Sequence, residues 1–180
     1  VKPGDPVPVG YTLFQRNEFN ATLTWQEMAP ISVARHAYDG MEVLGGKIYL
    51  VGGYNAGAKN IAERYDPATN QWETLPPMST ARQGVAAAVL DGKLYAIGGQ
   101  GLSSVEIFDP QTGQWSTGPT LSTEVKHASA ITIGDKILLM GGMNASSQQI
   151  DQVLELNPVT NQWDQKTSMP TARYGLKLVS

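Results

Sequence analysis

The chain has 180 residues, 41% of them hydrophobic and 16% charged, which is enough apolar content to bury a core and too much for a disordered segment. A net charge of -3 with no Lys/Arg stripe excludes nucleic acid and anionic membrane surfaces as partners. The longest apolar runs, such as 85–90, fall far short of the roughly 20 residues a membrane helix needs, and the absence of cysteine removes disulfides, thiolate nucleophiles and Cys-based metal sites.

Residues 1–11 read as a proline-rich lead-in, with a ragged strand at 7–9 as the other reading. The opening at Val1 fits a processed form, an excised domain or a portion of something longer. Segments 14–20 and 23–27 are predicted strands, and from there the chain repeats itself. Trp25, Trp72, Trp115 and Trp163 recur with a period of roughly 45 residues, inside the range that marks repeat architecture. Gly52-Gly53, Gly98-Gly99 and Gly141-Gly142 keep the same phase, each closing a β-rich run (KIYLVGG, KLYAIGG, KILLMGG). So do RYDPATNQW, IFDPQTGQW and ELNPVTNQW, each ending on a tryptophan. Arg35, Arg82, Lys126 and Arg173 are a fourth mark, following successive tryptophans at an interval that is constant except at Lys126, which comes one position later.

Each repeat reads as four short strands, A to D. Strand A runs from the basic residue to Leu44, Leu90 or Ile133, and a tight turn at Gly45-Gly46, Asp91-Gly92 or Gly134-Asp135 returns the chain as strand B. Strand C stops at Asp66-Pro67, Asp109-Pro110 or Asn157-Pro158, where proline withholds a ladder donor, and strand D carries the tryptophan. A sheet of four strands leaves one apolar face in water, and stacking such sheets radially covers it, so the pattern predicts an all-β propeller. The predicted units are a partial blade at 12–30, blades at 31–77, 78–120 and 121–168, and the first strand of a further blade at 169–180, centred on 174–179.

Glycine pair, aromatic, Asp-Pro turn and tryptophan, all held to that one period, together resemble the kelch repeat over residues 12–180. The resemblance implies a β-propeller whose blade tops bind a protein or, in some members, a glycan. The third repeat departs from the pattern: Lys126 stands for the arginine, Leu138 for Tyr49 and Tyr95, and Asn157 for aspartate. Three readings of the unfinished ring follow, in order: part of a larger propeller, a small ring closed within the chain, or association of two copies through apolar open faces.

Spacing separates scaffold from site. From the glycine pair to the turn proline the B–C segments differ in length, Gly99 to Asp109 being the shortest, Gly53 to Asp66 intermediate and Gly142 to Asn157 the longest, while the D–A connections keep their length. Loops 54–60, 100–104 and 143–149 are therefore the expected source of specificity. By the resemblance, both loop sets share one rim, which proposes Tyr54, Asn55, Arg35, His36, Arg82, Gln83, His127 and Asn144 as contacts for a protein or glycan. The arginines also suit structural hydrogen bonding, and Tyr54 also suits a loop cap. His36 and His127 lack the companion carboxylates a metal site needs, so no metal or cofactor is assigned.

Catalysis finds little support. There is no GxSxG elbow, no helix follows the glycine pairs to hold a phosphate, and a galactose-oxidase-like centre needs a cysteine the chain lacks. An activity resembling sialic acid mutarotases is the alternative, with Arg35, Arg82, Glu63 or Glu124 as its residues. Sequons at Asn20-Ala21-Thr22 and Asn144-Ala145-Ser146 are short enough to arise by chance and fix no location, although the lead-in is compatible with an exported protein.

Overall fold

The computed structural model describes residues 12–13, 26–36 and 40–179. Expectations on 1–11 and on 14–25, Trp25 among them, lie outside the described residues. Those described form fourteen strands and no helix, so no helix is long and apolar enough to cross a membrane.

A short antiparallel pair, β1 (Thr12–Leu13) with β2 (Gln26–Glu27), precedes three four-stranded antiparallel sheets. The first sheet is β3 (Met41–Leu44), β4 (Lys47–Val51), β5 (Ala62–Asp66) and β6 (Gln71–Leu75). The second is β7 (Ala86–Leu90), β8 (Lys93–Ile97), β9 (Val105–Asp109) and β10 (Gln114–Thr117). The third is β11 (Ser129–Ile133), β12 (Lys136–Met140), β13 (Val153–Asn157) and β14 (Gln162–Gln165). Strands follow chain order in every sheet, as consecutive hairpins require. Local chemistry sets the bends. Asp66, Asp109 and Asn157 each accept, through Oδ1, the backbone N–H two residues on, at 2.9, 2.8 and 2.9 Å. Asparagine thus keeps the turn in the third repeat. It cannot keep the ion pairs Lys47–Asp66 (2.9 Å) and Lys93–Asp109 (3.3 Å), and Lys136 turns instead to Glu155 at 2.8 Å.

Period-2 alternation gives the middle sheet two buried faces. Ala87, Leu94, Ala96 and Phe108 join Tyr49, Val51 and Ala62 of the first sheet in one core. Ala86, Ala88, Leu90, Ile97 and Val105 join Ala130, Ile137 and Leu139 of the third in another. Each buried Leu, Ile or Val there contributes about 1.5–3 kcal/mol, all of it between sheets, so a lone sheet would not be stable. Strand β7 lies between β3 and β11, and the Thr132 hydroxyl donates to the Val89 carbonyl, so the first strands converge on a common axis and the fourth strands form the outer edges. The three sheets are propeller blades.

The tryptophans tie blade to blade. Trp72, Trp115 and Trp163 are half-buried on the fourth strands, and their indole N–H groups donate to Ala29, Pro76 and Pro119 carbonyls of the preceding connection at 2.8, 2.7 and 2.8 Å. Tyr65 and Phe108 pack beside their tryptophans at 5.1 and 5.2 Å between ring centroids, while in the third blade Leu156 lies opposite Trp163.

Three sequence expectations are corrected. First strands begin at Met41, Ala86 and Ser129, not at the basic residue, because the arginine turns inward, and the described chain at 83–85 and 127–128 is irregular. Residues 174–179 form no ladder among the described residues. They run beside β11, with the Leu178 N–H on Ser129 Oγ at 3.3 Å. The third correction concerns register. Gly53, Gly99 and Gly142 N–H groups donate to the carbonyls of Arg82, Val125 and Arg173, so Val125, not Lys126, occupies the arginine position. Lys126 then matches His36, Gln83 and Tyr174, and His127 matches Gly84 and Gly175.

Candidate functional site

Each glycine pair ends a second strand and sends the chain to the rim, where loops of two kinds are hydrogen-bonded together. Tyr54 and His36 exchange backbone bonds of 2.8 and 3.0 Å, Gln100 N–H donates to the Gln83 carbonyl at 2.8 Å, and Met143 and Lys126 exchange bonds of 2.8 and 3.1 Å. The D–A connections therefore form a frame on which the B–C loops of unequal length are laid.

Beneath the rim sit two buried ion pairs. Arg35 bonds Gly52 O at 2.8 Å and Glu63 Oε2 at 2.5 Å; Arg82 bonds Gly98 O at 2.7 Å, Ser104 O at 2.8 Å and Glu106 Oε1 at 3.0 Å. Both arginine side chains are wholly buried. The side chains of Arg35 and Arg82, two of the predicted contacts, thus lie beneath the rim, where they hold the glycine turn to the third strand. The glutamates also accept backbone N–H groups, Ser32 to Glu63 at 3.0 Å and Ser79 to Glu106 at 2.7 Å, fixing the D–A connection. In the third blade the positions of Arg and Glu are filled by Val125 and Leu154, both in the apolar core. Ile61 stands where the second blade has Ser104, whose hydroxyl accepts from Arg82 Nη2 at 2.9 Å; the buried Nη2 of Arg35 has no hydrogen-bond partner among the described residues.

Burial pushes the Glu63 carboxyl up, but the Ser32 and Arg35 hydrogen bonds and the Arg35 charge outweigh it and hold the group below its ordinary value. Glu106 behaves likewise, burial opposed by Ser79 and Arg82. A carboxylate depressed in the folded state contributes stability that is complete above its unfolded value, about 4.3, and is lost as pH falls through the folded one. Urea midpoints measured from about pH 6 down to pH 3 are therefore expected to fall, and hydrogen exchange at acid pH should loosen the first two blades before the third, which has Leu154 instead.

Of the remaining predicted contacts, His36, Tyr54, Gln83 and His127 come together around one cleft of about 210 Å³, which Gly53, Gly84 and Val85 also line. Tyr54 is 41% exposed there. Asn55 lies on the exposed loop and its Nδ2 donates to the Ala34 carbonyl at 2.9 Å, which fastens the loop. Asn144 is not in this cleft. It lines a second one of about 240 Å³ with Gln100, Glu124 and Lys126, and braces its own loop by accepting from Gln148 N–H at 3.0 Å. Sequence reading missed Glu63 and Glu106 as the arginines' partners, although a glutamate second in the third strand of the two blades that carry the arginine was the available signal. It also missed Tyr174, whose ring centroid lies 6.4 Å from that of His127. Among the described residues no cluster of three or more His, Cys, Asp or Glu could hold a metal.

The family model described as the KLHDC2/KLHL20/DRC7 Kelch-repeats domain matches residues 17–180. The chain belongs to the kelch-repeat family. This kelch chain is 41% identical over 78 residues to Kelch-like protein 33 of Homo sapiens, a match covering 43% of the chain and 14% of that relative. It is 43% identical over 67 residues to Kelch-like ECH-associated protein 1A of Danio rerio, covering 34% and 11%. The solved structure of YjhT superposes with a TM-score of 0.73 at 20% identity over 84% of this chain and 57% of that one, a likeness of fold alone. The matches thus span a small part of the curated relatives and little more than half of YjhT.

Proposed function

We propose that this kelch chain is a non-catalytic binding module that engages a protein partner, or a glycan, through the rim formed by its B–C and D–A loops. The observation that carries the reading is the joining of loops of unequal length to a hydrogen-bonded frame of constant length, with Tyr54, His36, Gln83 and His127 gathered at one opening. Function placed on variable loops over a rigid scaffold is the usual arrangement. Of the residues named for a mutarotase-like activity, Arg35, Glu63 and Arg82 are held in buried pairs, and Glu124 lines the second cleft. Replacing Tyr54, Asn55 and Asn144 by alanine together is expected to weaken binding of a partner, isolated with the native chain, by at least about tenfold, with the melting temperature unchanged. Titration calorimetry of both forms measures it, and equal affinities would refute the rim.

The same reading places the three blades in a larger ring. Met41 and Val43, on the first strand of the first blade, are 45% and 61% exposed, an apolar edge that suits a further blade face. For the 180-residue chain alone, native mass spectrometry should therefore find oligomers above 19.4 kDa. A lasting monomer would favour self-closure.

A further inference from the structure

His127 adopts φ +55° at a position filled by glycine in the neighbouring repeats, Gly84 at +63° and Gly175 at +60°. Glycine visits this left-handed region freely, whereas a side chain there is disfavoured and recurs at functional sites. Both neighbouring repeats meet this backbone conformation with glycine, so the imidazole at 127 is an addition that the turn itself does not require. The ring lies directly over Gly84, where an added Cβ would meet the imidazole at 2.8 Å, and it lines the same cleft as Tyr54. Gly84 makes room for it: the two residues fit as ring and floor.

We propose that this cleft is a slot for one uncharged aromatic side chain of a protein partner, with His127 as its specificity-determining wall. The proposal rests on the rim reading above and gives it a ligand chemistry. Size is the first argument, since about 210 Å³ accommodates a single aromatic side chain and no folded element. Charge is the second: no Asp, Glu, Lys or Arg lines the cleft among the described residues, so a buried ionic anchor would find no counter-ion and lose its hydration. Burial, together with Lys126 beside it, holds His127 below its ordinary value and keeps that wall neutral at physiological pH. Shape is the third. Two glycines, Gly53 and Gly84, line the cleft with Val85 and the aromatic rings of Tyr54 and His127, a set that leaves room for a ring stacked on them or met edge to face. Gln83, also in the lining, supplies a polar group for a phenol or indole tip.

The chain has two histidines only, so their Cε1–Hε1 signals give a simple NMR readout, assigned with the His127→Gly variant. The full 180-residue chain is titrated with N-acetyl-tyrosinamide, N-acetyl-tryptophanamide, N-acetyl-leucinamide, N-acetyl-glutamic acid amide and methyl glucoside. Saturable shifts of both histidines are expected with the aromatic amides, at least fivefold tighter than with the others. His127→Gly should abolish the aromatic-induced shift of His36 without lowering the melting temperature, a combination that a structural histidine would not give. Absence of saturable shifts with the aromatic amides, preference for the glutamic acid amide or the glucoside, or an unchanged response of His36 in His127→Gly would each overturn the slot. Loss of partner binding in the triple alanine variant alongside such a result would leave the rim standing and remove only the aromatic anchor. Aromatic binding with partner affinity indifferent to the rim variant would do the reverse.

Discussion

Glu106→Gln, made alone, is expected to lower unfolding free energy by about 3–5 kcal/mol, because it strands the Arg82 guanidinium, wholly buried, without its counter-charge. That is a large fraction of the roughly 5–15 kcal/mol that keeps a domain folded. Arg82→Val alone should cost a similar amount, since Glu106 would keep its charge in the core and Gly98 O and Ser104 O would lose their donor. The third blade shows the way out: Val125 and Leu154 occupy the same two positions as an apolar pair, each 5% exposed. The double variant Arg82→Val with Glu106→Leu is therefore expected to recover most of the loss, as replacing a whole buried pair by apolar groups commonly does. Ser79 and Thr80 N–H groups, freed from Glu106, lie near the surface and can turn to water. Urea denaturation of the four forms closes the cycle; additive losses in the double variant would show that the pair is not a unit.

Gly98→Ala should be nearly as damaging, although it adds one methyl group. The residue has φ +65°, and an alanine Cβ would stand 2.5 Å from the Val125 carbonyl oxygen of the next blade. The left-handed backbone alone costs roughly 1–3 kcal/mol for a non-glycine residue, and relieving the contact would part the second and third blades. The Gly99 N–H bond to the same carbonyl, 2.9 Å, would be lengthened with it. A melting temperature several degrees lower is expected, while Gly113→Ala, at φ +69° but with open space around it, should pay only the backbone term. Equal losses at both sites would show that blade docking does not depend on the close approach.

The repeat was legible because its marks are local. A glycine pair, an Asp-Pro turn and a tryptophan each act within a few positions of the chain, so period and strand order could be read before any contact was known, and all three four-stranded sheets stand where the runs KIYLV, KLYAI and KILLM put them. Register in the third repeat was less legible. Lys126 carries a charge like the arginines and attracted the match, yet the interval that separates Trp72 from Arg82, counted from Trp115, lands on Val125, and only the backbone bond from Gly99 decides between them. Charge is a weak guide there because the buried pair changed both members together, leaving no basic residue to find.

The amino-acid sequence by itself determined the four-strand order of the three blades, the turns between them and the division into constant frame and variable loop, all of which follow from side chains acting on their own backbone. The tertiary structure decided which polar residues are scaffold and which face a cleft. Arg35 and His36 are neighbours in the chain, yet the first is sealed in a buried pair and the second opens on the rim. Only the approach of a strand from the same blade and a loop from the next separates them, and such distant contacts leave no local trace.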